Sequence, residues 1–227
     1  VEQLMLANRR TGDGYQYTVP SPRSYPYQWL WDSCFHAIIL SYIDLPAAKA
    51  ELRTLIKRQD RNGMIPHMMY WDEAPLSDFP HIAWGKDATS SLTQPPMLAY
   101  AALRVYQVDQ DKQFLADLYP AMCKFYNFFF HHRDPKHHKL IGIIHPDESG
   151  EDNSPRFDKA LRLPPQHASE VNFAKRLELI EQNRVCDFSS DCMANFHWVR
   201  DVSFNAIFVR NLRDLVTIGR VQIGREY

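Results

Sequence analysis

The chain has 227 residues, of which 45% are hydrophobic, so it can bury the core of one large domain or two small ones. A formal net charge of −1 argues against nucleic acid or an acidic membrane surface as a partner. The sequence contains no apolar run of about 18 residues and no visible secretory signal, so it predicts no membrane span.

The first segment, residues 1–27, predicts an irregular lead-in. It carries three prolines and the turn sequence Thr11–Gly14, and a short helix near residues 1–9 can precede them. Residues 28–43 then predict an inner helix, because they are apolar almost all round. Residues 46–59 predict an outer helix, with a narrow apolar stripe and charged side chains elsewhere.

The helix at residues 28–43 carries an aspartate near its start. Its apolar residues at helical spacing are Trp31, Phe35, Ile38, Ile39 and Tyr42. Asp32 falls in the first turn, where two interpretations are open. A carboxylate is favoured there by the dipole of the helix, and it can also accept hydrogen bonds from a ligand.

Residues 64–92 predict a long loop that is too aromatic for disorder. Its histidine, tyrosine and tryptophan residues are His67, Tyr70, Trp71, His81 and Trp84. The sequence Thr93–Pro96 predicts the start of a third helix that runs to about Gln107, with Thr93 as a possible cap. From the residues alone, Gln94 helps to cap this helix.

Two further helices are predicted, over residues 111–132 with a kink at Pro120, and over about 198–218. Residues 159–195 show little periodicity. Inner helices near residues 28, 93 and 198 form a weak repeat, and the repeated unit is a helical hairpin. The histidines between residues 131 and 138 lack ligand spacing and predict no metal site.

The four cysteines favour a reduced protein. Cys34 and Cys123 lie in apolar helical patterns typical of buried thiols. Cys186 and Cys192 flank a short polar segment, where a disulfide is possible but less favoured than two thiols. The absence of a Cys-x-x-Cys motif makes a metal role weak. A cytoplasmic location is the simplest expectation.

Residues 145–158 form the most polar segment of the chain, with five carboxylates, two prolines, one glycine and one arginine. The segment follows the apolar run Leu140–Ile144. A charged turn that leaves an apolar segment can hold an acid beside a pocket, although many such turns are only solvated. We call residues 145–158 the acid loop.

The sequence Glu148–Arg156 resembles a loop of the six-hairpin α-helical glycosidases, namely glycoside hydrolase family 63 and its relatives, which include trehalases and mannosylglycerate and glucosylglycerate hydrolases. In that family the aspartate of the loop is the general acid, which implies this role for Asp152. The same loop implies that Asn153 and Arg156 bind substrate.

Other motifs extend the resemblance over about residues 25–225. The sequence Trp-x-Trp-Asp resembles the start of the family's first inner helix and implies that Trp31 and Asp32 bind the sugar. A Gly-x-Ile-Pro-His motif implies that His67 lies near the substrate, and Gln-Pro-Pro implies that Gln94 lines the pocket. The residues Asp201 and Asn205 resemble a later inner helix.

The resemblance implies an all-α fold, the (α/α)6 toroid of helical hairpins. About five helices are predicted where a complete toroid has twelve, so the expected organisation is a lead-in at residues 1–27 and a partial catalytic domain at residues 28–227. The family's general base is a glutamate in the C-terminal half, which no residue of this chain matches. A missing half or a second copy is therefore an expected partner.

The implied activity is inverting hydrolysis of a short α-linked glucoside or mannoside, such as glucosylglycerate, mannosylglycerate or trehalose, with no metal or organic cofactor. Asp147, Glu148 and Glu151 are expected to raise the pKa of Asp152, and Arg156 to oppose them. Two alternatives stay open. A carbohydrate-binding or scaffold fragment of this fold would tolerate loss of Asp152, and a sugar epimerase would require catalytic histidines.

Overall fold

The computed structural model describes residues 1–71, 84–85 and 88–224, and in these ranges the protein is mainly helical. The helices are α1 (Glu2–Ala7), α2 (Leu30–Leu40), α3 (Leu45–Leu55), α4 (Leu98–Asp109), α5 (Lys112–His132), α6 (Asp158–Leu161), α7 (Ser169–Val185), α8 (Ser190–Met193) and α9 (Val202–Gln222). The strands are β1 (Arg9–Gly12), β2 (Tyr15–Thr18), β3 (Gln28–Trp29) and β4 (Met68–Met69). No helix in the described ranges is both long and apolar enough to cross a lipid bilayer.

The longer helices form hairpins that stand side by side. Helix α2 packs against α3 and α4, and α4 packs against α5 and α9. The predicted row of inner helices, α2, α4 and α9, is confirmed by these contacts. Helix α5 continues through Pro120 to His132.

Aspartates begin three of the helices. The carboxylates of Asp44, Asp111 and Asp201 accept hydrogen bonds from backbone N–H groups in the first turns of α3, α5 and α9. The predicted start of α4 at Thr93 is wrong, because α4 begins at Leu98. Thr93 is held elsewhere, with its hydroxyl donating to the Ile65 carbonyl at 2.9 Å.

The two faces of α2 differ in what they contact. Its buried residues are Leu30, Ser33, Cys34, Ala37 and Leu40. The apolar face identified from the spacing is instead exposed at Phe35 (42%), Ile39 (39%) and Tyr42 (78%). The buried face contains small side chains, and it is the face that meets the neighbouring helices.

The expectation of an irregular lead-in is wrong for residues 9–18, although the short helix before them is confirmed as α1. Strands β1 and β2 pair antiparallel, from Arg9 opposite Thr18 to Gly12 opposite Tyr15. Gly14 in the turn has a φ of 76°, a conformation that glycine adopts without strain. The turn residues therefore indicate a hairpin rather than an unstructured segment.

Helix α7 was missed because its buried residues are mostly polar. They are Asn172, Arg176, Ile180 and Asn183, so no apolar period marks the helix. The expectation of reduced thiols is also wrong, because Cys186 and Cys192 form a disulfide with Cα atoms 5.6 Å apart. This disulfide joins the end of α7 to α8.

The apolar segment before the acid loop is held by α9. The Ile141 N–H donates to the Asn205 side-chain oxygen at 2.8 Å, and the Asn205 amide donates back to the Ile141 carbonyl at 2.9 Å. Ile143 pairs with Val199 as an isolated antiparallel bridge. These bonds fix the point at which the chain enters the acid loop.

Candidate active site

A cavity of about 670 Å³ opens between the start of α2, the acid loop and α7. We call it the main cavity. It is lined by Pro20, Arg23, Ser24, Tyr25, Trp29, Trp31, Asp32, His67, Trp84, Gln94, Asp147, Gly150, Asp152, Phe173 and Arg176. Five of the residues predicted for the site, Trp31, Asp32, His67, Gln94 and Asp152, therefore line one space.

Trp31, beside the main cavity, is held by contacts with two separate chain segments. Its backbone N–H at the start of α2 donates to the Gln94 side-chain oxygen at 3.2 Å. Its indole lies against Gly150 of the acid loop, where an added Cβ would overlap the ring. Gly150 also has a φ of 70°, so both the space and the backbone conformation favour glycine. The contact joins α2 directly to the acid loop.

Asp32 follows Trp31 on the wall of the main cavity. Burial raises the pKa of its carboxyl to about 6, although hydrogen bonds from its backbone and from the Trp31 side chain act in the opposite direction. The carboxyl therefore changes charge close to physiological pH.

His67 is buried and reaches the main cavity between Trp29 and Trp84, whose rings lie 5.2 and 5.3 Å from its own. Its Nδ1 lies 2.5 Å from the Ser90 hydroxyl, and its Nε2 has no hydrogen-bond partner among the described residues. Burial lowers the pKa of the imidazole to about 4. His67 is consequently neutral near pH 7.

Arg176 of α7 connects the acid loop to the helix. Its Nη1 lies 2.7 Å from Asp147 Oδ1 and 2.7 Å from Asp152 Oδ2. Its Nη2 donates to the Asn153 side-chain oxygen at 3.4 Å, and its Nε donates to the Asn172 oxygen at 3.1 Å. One guanidinium thus holds the acid loop from several sides.

His145 and Asp147 form a buried pair at the start of the acid loop, with His145 Nδ1 3.2 Å from Asp147 Oδ1. Burial opposes charge on both groups, but the pair and Arg176 outweigh it. The pKa of His145 is raised, and the pKa of Asp147 is held well below its usual range. Asp147 therefore stays an ionised carboxylate in the cavity wall.

The other two predicted substrate-binding residues, Asn153 and Arg156, are not among the residues that line the main cavity. Arg156 contacts the Glu151 carboxylate, and its Nε lies 2.7 Å from Asp201 Oδ2 at the start of α9. Asn153 meets Arg176. Both residues support the acid loop in this structure, and their contact with substrate stays a prediction.

The carboxylates around Asp152 are each paired with an arginine, Asp147 with Arg176, Glu148 with Arg133 and Glu151 with Arg156. From the sequence, these carboxylates were instead expected to repel the charge of Asp152.

Within the described ranges, no group of three metal-ligating side chains converges to hold an ion.

Sequence reasoning missed several lining residues. Arg176 and Phe173 lie on α7, which the sequence pattern did not reveal, and Tyr25 lies in the segment assigned to the lead-in. Trp29 could have been predicted as a lining residue, because it is the first tryptophan of the Trp-x-Trp-Asp motif.

A row of helical hairpins with an aromatic and carboxylate-lined cavity is the arrangement of the (α/α)6 glycosidases. The chain belongs to the mannosylglycerate hydrolase MGH1-like glycoside hydrolase domain family, which matches residues 25–225.

Named relatives and a solved structure agree with this assignment. The mannosylglycerate hydrolase of Thermus thermophilus is 33% identical, over 89% of this chain and 56% of that protein. The glucosylglycerate hydrolase of Mycolicibacterium hassiacum is 29% identical, over 89% of this chain and 54% of that protein. A crystal structure of a family 63 mannosylglycerate hydrolase from Thermus thermophilus, in complex with Tris and D-glycerate, matches with a TM-score of 0.88 and 32% identity.

That match covers 99% of this chain and 59% of the solved chain. The (α/α)6 prediction is confirmed by it, and so is the expectation that the chain corresponds to only part of the toroid. The chain spans about half the length of the two curated relatives.

Proposed function

We propose that this chain is the acid-bearing part of an inverting glycoside hydrolase that acts on a short α-linked glucoside or mannoside. The observation that carries the proposal is the convergence of Trp31, Asp32, Gln94 and Asp152 on the main cavity. Asp152 serves as the general acid, and the partner carboxylate lies in the part of the toroid outside residues 1–227. Family membership supports the reaction class.

The sugar ring binds to Trp31, Asp32 and Gln94, which we call the sugar platform. An indole face packs on the apolar face of a sugar ring, and a carboxylate accepts hydrogen bonds from two hydroxyls. Gln94 is already oriented, because its oxygen accepts the Trp31 N–H. His67 lines the same cavity.

Asp152 protonates the glycosidic oxygen as the bond to the sugar breaks, while a water activated by the base attacks the opposite face of the ring. Arg176 contacts Oδ2 of Asp152, so we assign the transferable proton to Oδ1. Asp147 cannot take over as the acid, because Arg176 and His145 keep it ionised.

The substrate class follows from the relatives and from the charge of the main cavity. The named relatives hydrolyse mannosylglycerate and glucosylglycerate. Arg23 also lines the cavity and can attract an acidic leaving group such as glycerate, whereas Arg176 is already paired with Asp147 and Asp152. We therefore rank glycosylglycerates above trehalose.

The first test is hydrolysis of mannosylglycerate, glucosylglycerate and trehalose by the toroid completed with the part outside residues 1–227, which carries the proposed base, and by its Asp152→Asn variant. Asparagine is nearly isosteric but cannot supply the proton, so the variant should lose at least about 100-fold in kcat. Asp158→Asn is the matched control, because Asp158 lies in the same loop but outside the cavity lining. Equal activity in wild type and Asp152→Asn would contradict the assignment of the acid.

The second candidate is a carbohydrate-binding domain without turnover, which the coverage of only 56% of the Thermus thermophilus relative favours. It predicts that the folded chain binds glucose or mannose but releases no sugar, and that Asp152→Asn leaves binding unchanged.

A cytoplasmic location stays a prediction. The disulfide between Cys186 and Cys192 weighs against it, because disulfides are rare in the cytosol.

A further inference from the structure

Glu148 is fully buried behind the main cavity and is not among its lining residues. Its Oε1 accepts from Arg133 Nη2 at 2.7 Å and from the Thr93 N–H at 3.1 Å. Its Oε2 accepts from Arg133 Nη1 at 3.0 Å and from the Ile144 N–H at 2.8 Å. Both carboxylate oxygens therefore have two donors each.

These donors come from separate parts of the fold. Arg133 ends α5, Ile144 leads into the acid loop, and Thr93 precedes Gln94. Glu148 is hydrogen-bonded to Thr93, and Thr93 is joined by a peptide bond to Gln94 of the sugar platform. Gln94 in turn accepts a hydrogen bond from the Trp31 N–H. Glu148 itself lies in the acid loop that carries Asp152. Glu148 is thus bonded directly to the chain segments on both sides of the proposed reaction.

Stability alone does not explain a buried ion pair at this position. Removing two charges from water is costly, and a well-packed apolar pair of similar volume often stabilises a protein as well or better. An apolar pair cannot provide four directed hydrogen bonds. What the Arg133–Glu148 pair adds is a fixed geometry between the segments that it joins.

We propose that Glu148 is a positioning residue, which sets the distance from the Asp152 carboxyl to a sugar on the platform. The proposal rests on the proposed function, because it needs Asp152 to be the acid. Hydrogen bonds that do not involve Glu148 also hold the segments around the platform. The Thr93 hydroxyl donates to the Ile65 carbonyl, and the backbone N–H of His67 donates to the Leu92 carbonyl. The acid loop also has other supports, but Glu148 is itself a residue of that loop and meets the platform segment through the Thr93 N–H. Loss of Glu148 should therefore displace the acid more than it disturbs the platform.

Two variants test this role. Glu148→Gln keeps the shape but turns an acceptor into an NH2 group that faces donors, and it leaves Arg133 without its counter-charge. The double variant Arg133→Met/Glu148→Leu removes both charges at similar volume and guards against misfolding of the single variant. The control is Leu118→Ala, a fully buried truncation in α5, the helix that Arg133 ends. Temperature is adjusted so that all variants are compared at equal global stability.

Hydrogen exchange without substrate is measured first. In both Glu148 variants, amide exchange at residues 150–153 should rise at least about 10-fold, while residues 30–34 stay unchanged. A rise of equal size in both segments, as expected for Leu118→Ala, would overturn the proposal.

Kinetics and sugar binding give the second readout. The kcat for a glycosylglycerate should fall about 100-fold in the Glu148 variants, as misplacement of an acid by about 1 Å can cause. The Kd for glucose should stay within about 3-fold of wild type. Parallel losses in kcat and Kd would overturn the positioning role. These kcat values are measured in the toroid completed with the part outside residues 1–227. A wild-type toroid that hydrolyses no glycoside would contradict the proposed function alone, and the exchange data would still decide whether Glu148 places the loop.

Discussion

The buried carboxyl of Glu51 makes the stability of this protein depend on pH. Glu51 lies on α3 with 1% exposure, and the Ser33 hydroxyl donates to its Oε1 at 2.6 Å. Burial raises its pKa from 4.5 to about 8, and hydrogen bonds with Ser33 and Thr18 and the charge of Arg9 only partly oppose this. The group is therefore protonated in the folded state at neutral pH.

The direction of the effect follows from proton linkage. Between pH 4.5 and about 8 the folded chain holds a proton on Glu51 that the unfolded chain has released. Stability from this group is complete below pH 4.5, falls by about 1.4 kcal/mol per pH unit, and is gone above pH 8. Over the whole window the loss is on the order of 5 kcal/mol.

The perturbation is Glu51→Gln, which keeps an acceptor for Ser33 but cannot titrate. Urea unfolding of both proteins, followed by tryptophan fluorescence at pH 5, 6, 7 and 8, gives the free energy of unfolding at each pH. The variant should gain on wild type by about 1.4 kcal/mol per pH unit in the middle of this range, and by less near pH 5 and pH 8, where Glu51 is partly titrated in one of the two states. Other titrating groups cancel in the difference. Parallel curves for the two proteins would refute the reasoning.

Two further predictions concern the main cavity. Because the Asp32 carboxyl has a pKa of about 6, affinity for glucose should rise as pH increases from 5 to 7, and Asp32→Asn should remove this dependence. A wild-type affinity that is flat with pH would contradict it. Gly150→Ala should destabilise the chain by more than about 1 kcal/mol and weaken glucose binding, because it strains the backbone and displaces Trp31. Gly224→Ala is its control, because its φ is 69° and an added Cβ would meet no atom of the described residues within 4 Å. Equal losses in both variants would exclude the Trp31 contact.

Much of the fold was predictable because α2, α4, α5 and α9 carry apolar residues at helical spacing, and Asp111 also marks the start of α5. The exposed face of α2 was not, because a single helix that is apolar all round does not indicate which side meets its neighbours. Helix α7 escaped detection for the opposite reason, since its inward residues are polar and bond to loops rather than to an apolar core.

The candidate site divides in a similar way. Trp31, Asp32, Gln94 and Asp152 stand in short motifs that resemble those of a known family, and the resemblance implied that they are neighbours. Arg176 could not be proposed, because its contacts with the acid loop depend on how α7 lies across it. Spacing along the chain carries no information about such pairings between distant segments.

The Asp201 carboxylate, which begins α9 and holds Arg156, bears on the order in which the chain folds. The segment that leads into the acid loop is held by the hydrogen bond between Ile141 and Asn205, which are 64 residues apart in sequence. Contacts of such long separation form late, because the loss of chain entropy precedes the gain in contacts. During synthesis, residues 28–109 leave the ribosome before α9 exists. The apolar hairpins can therefore assemble early, while the acid loop takes its final shape only after α9 has docked.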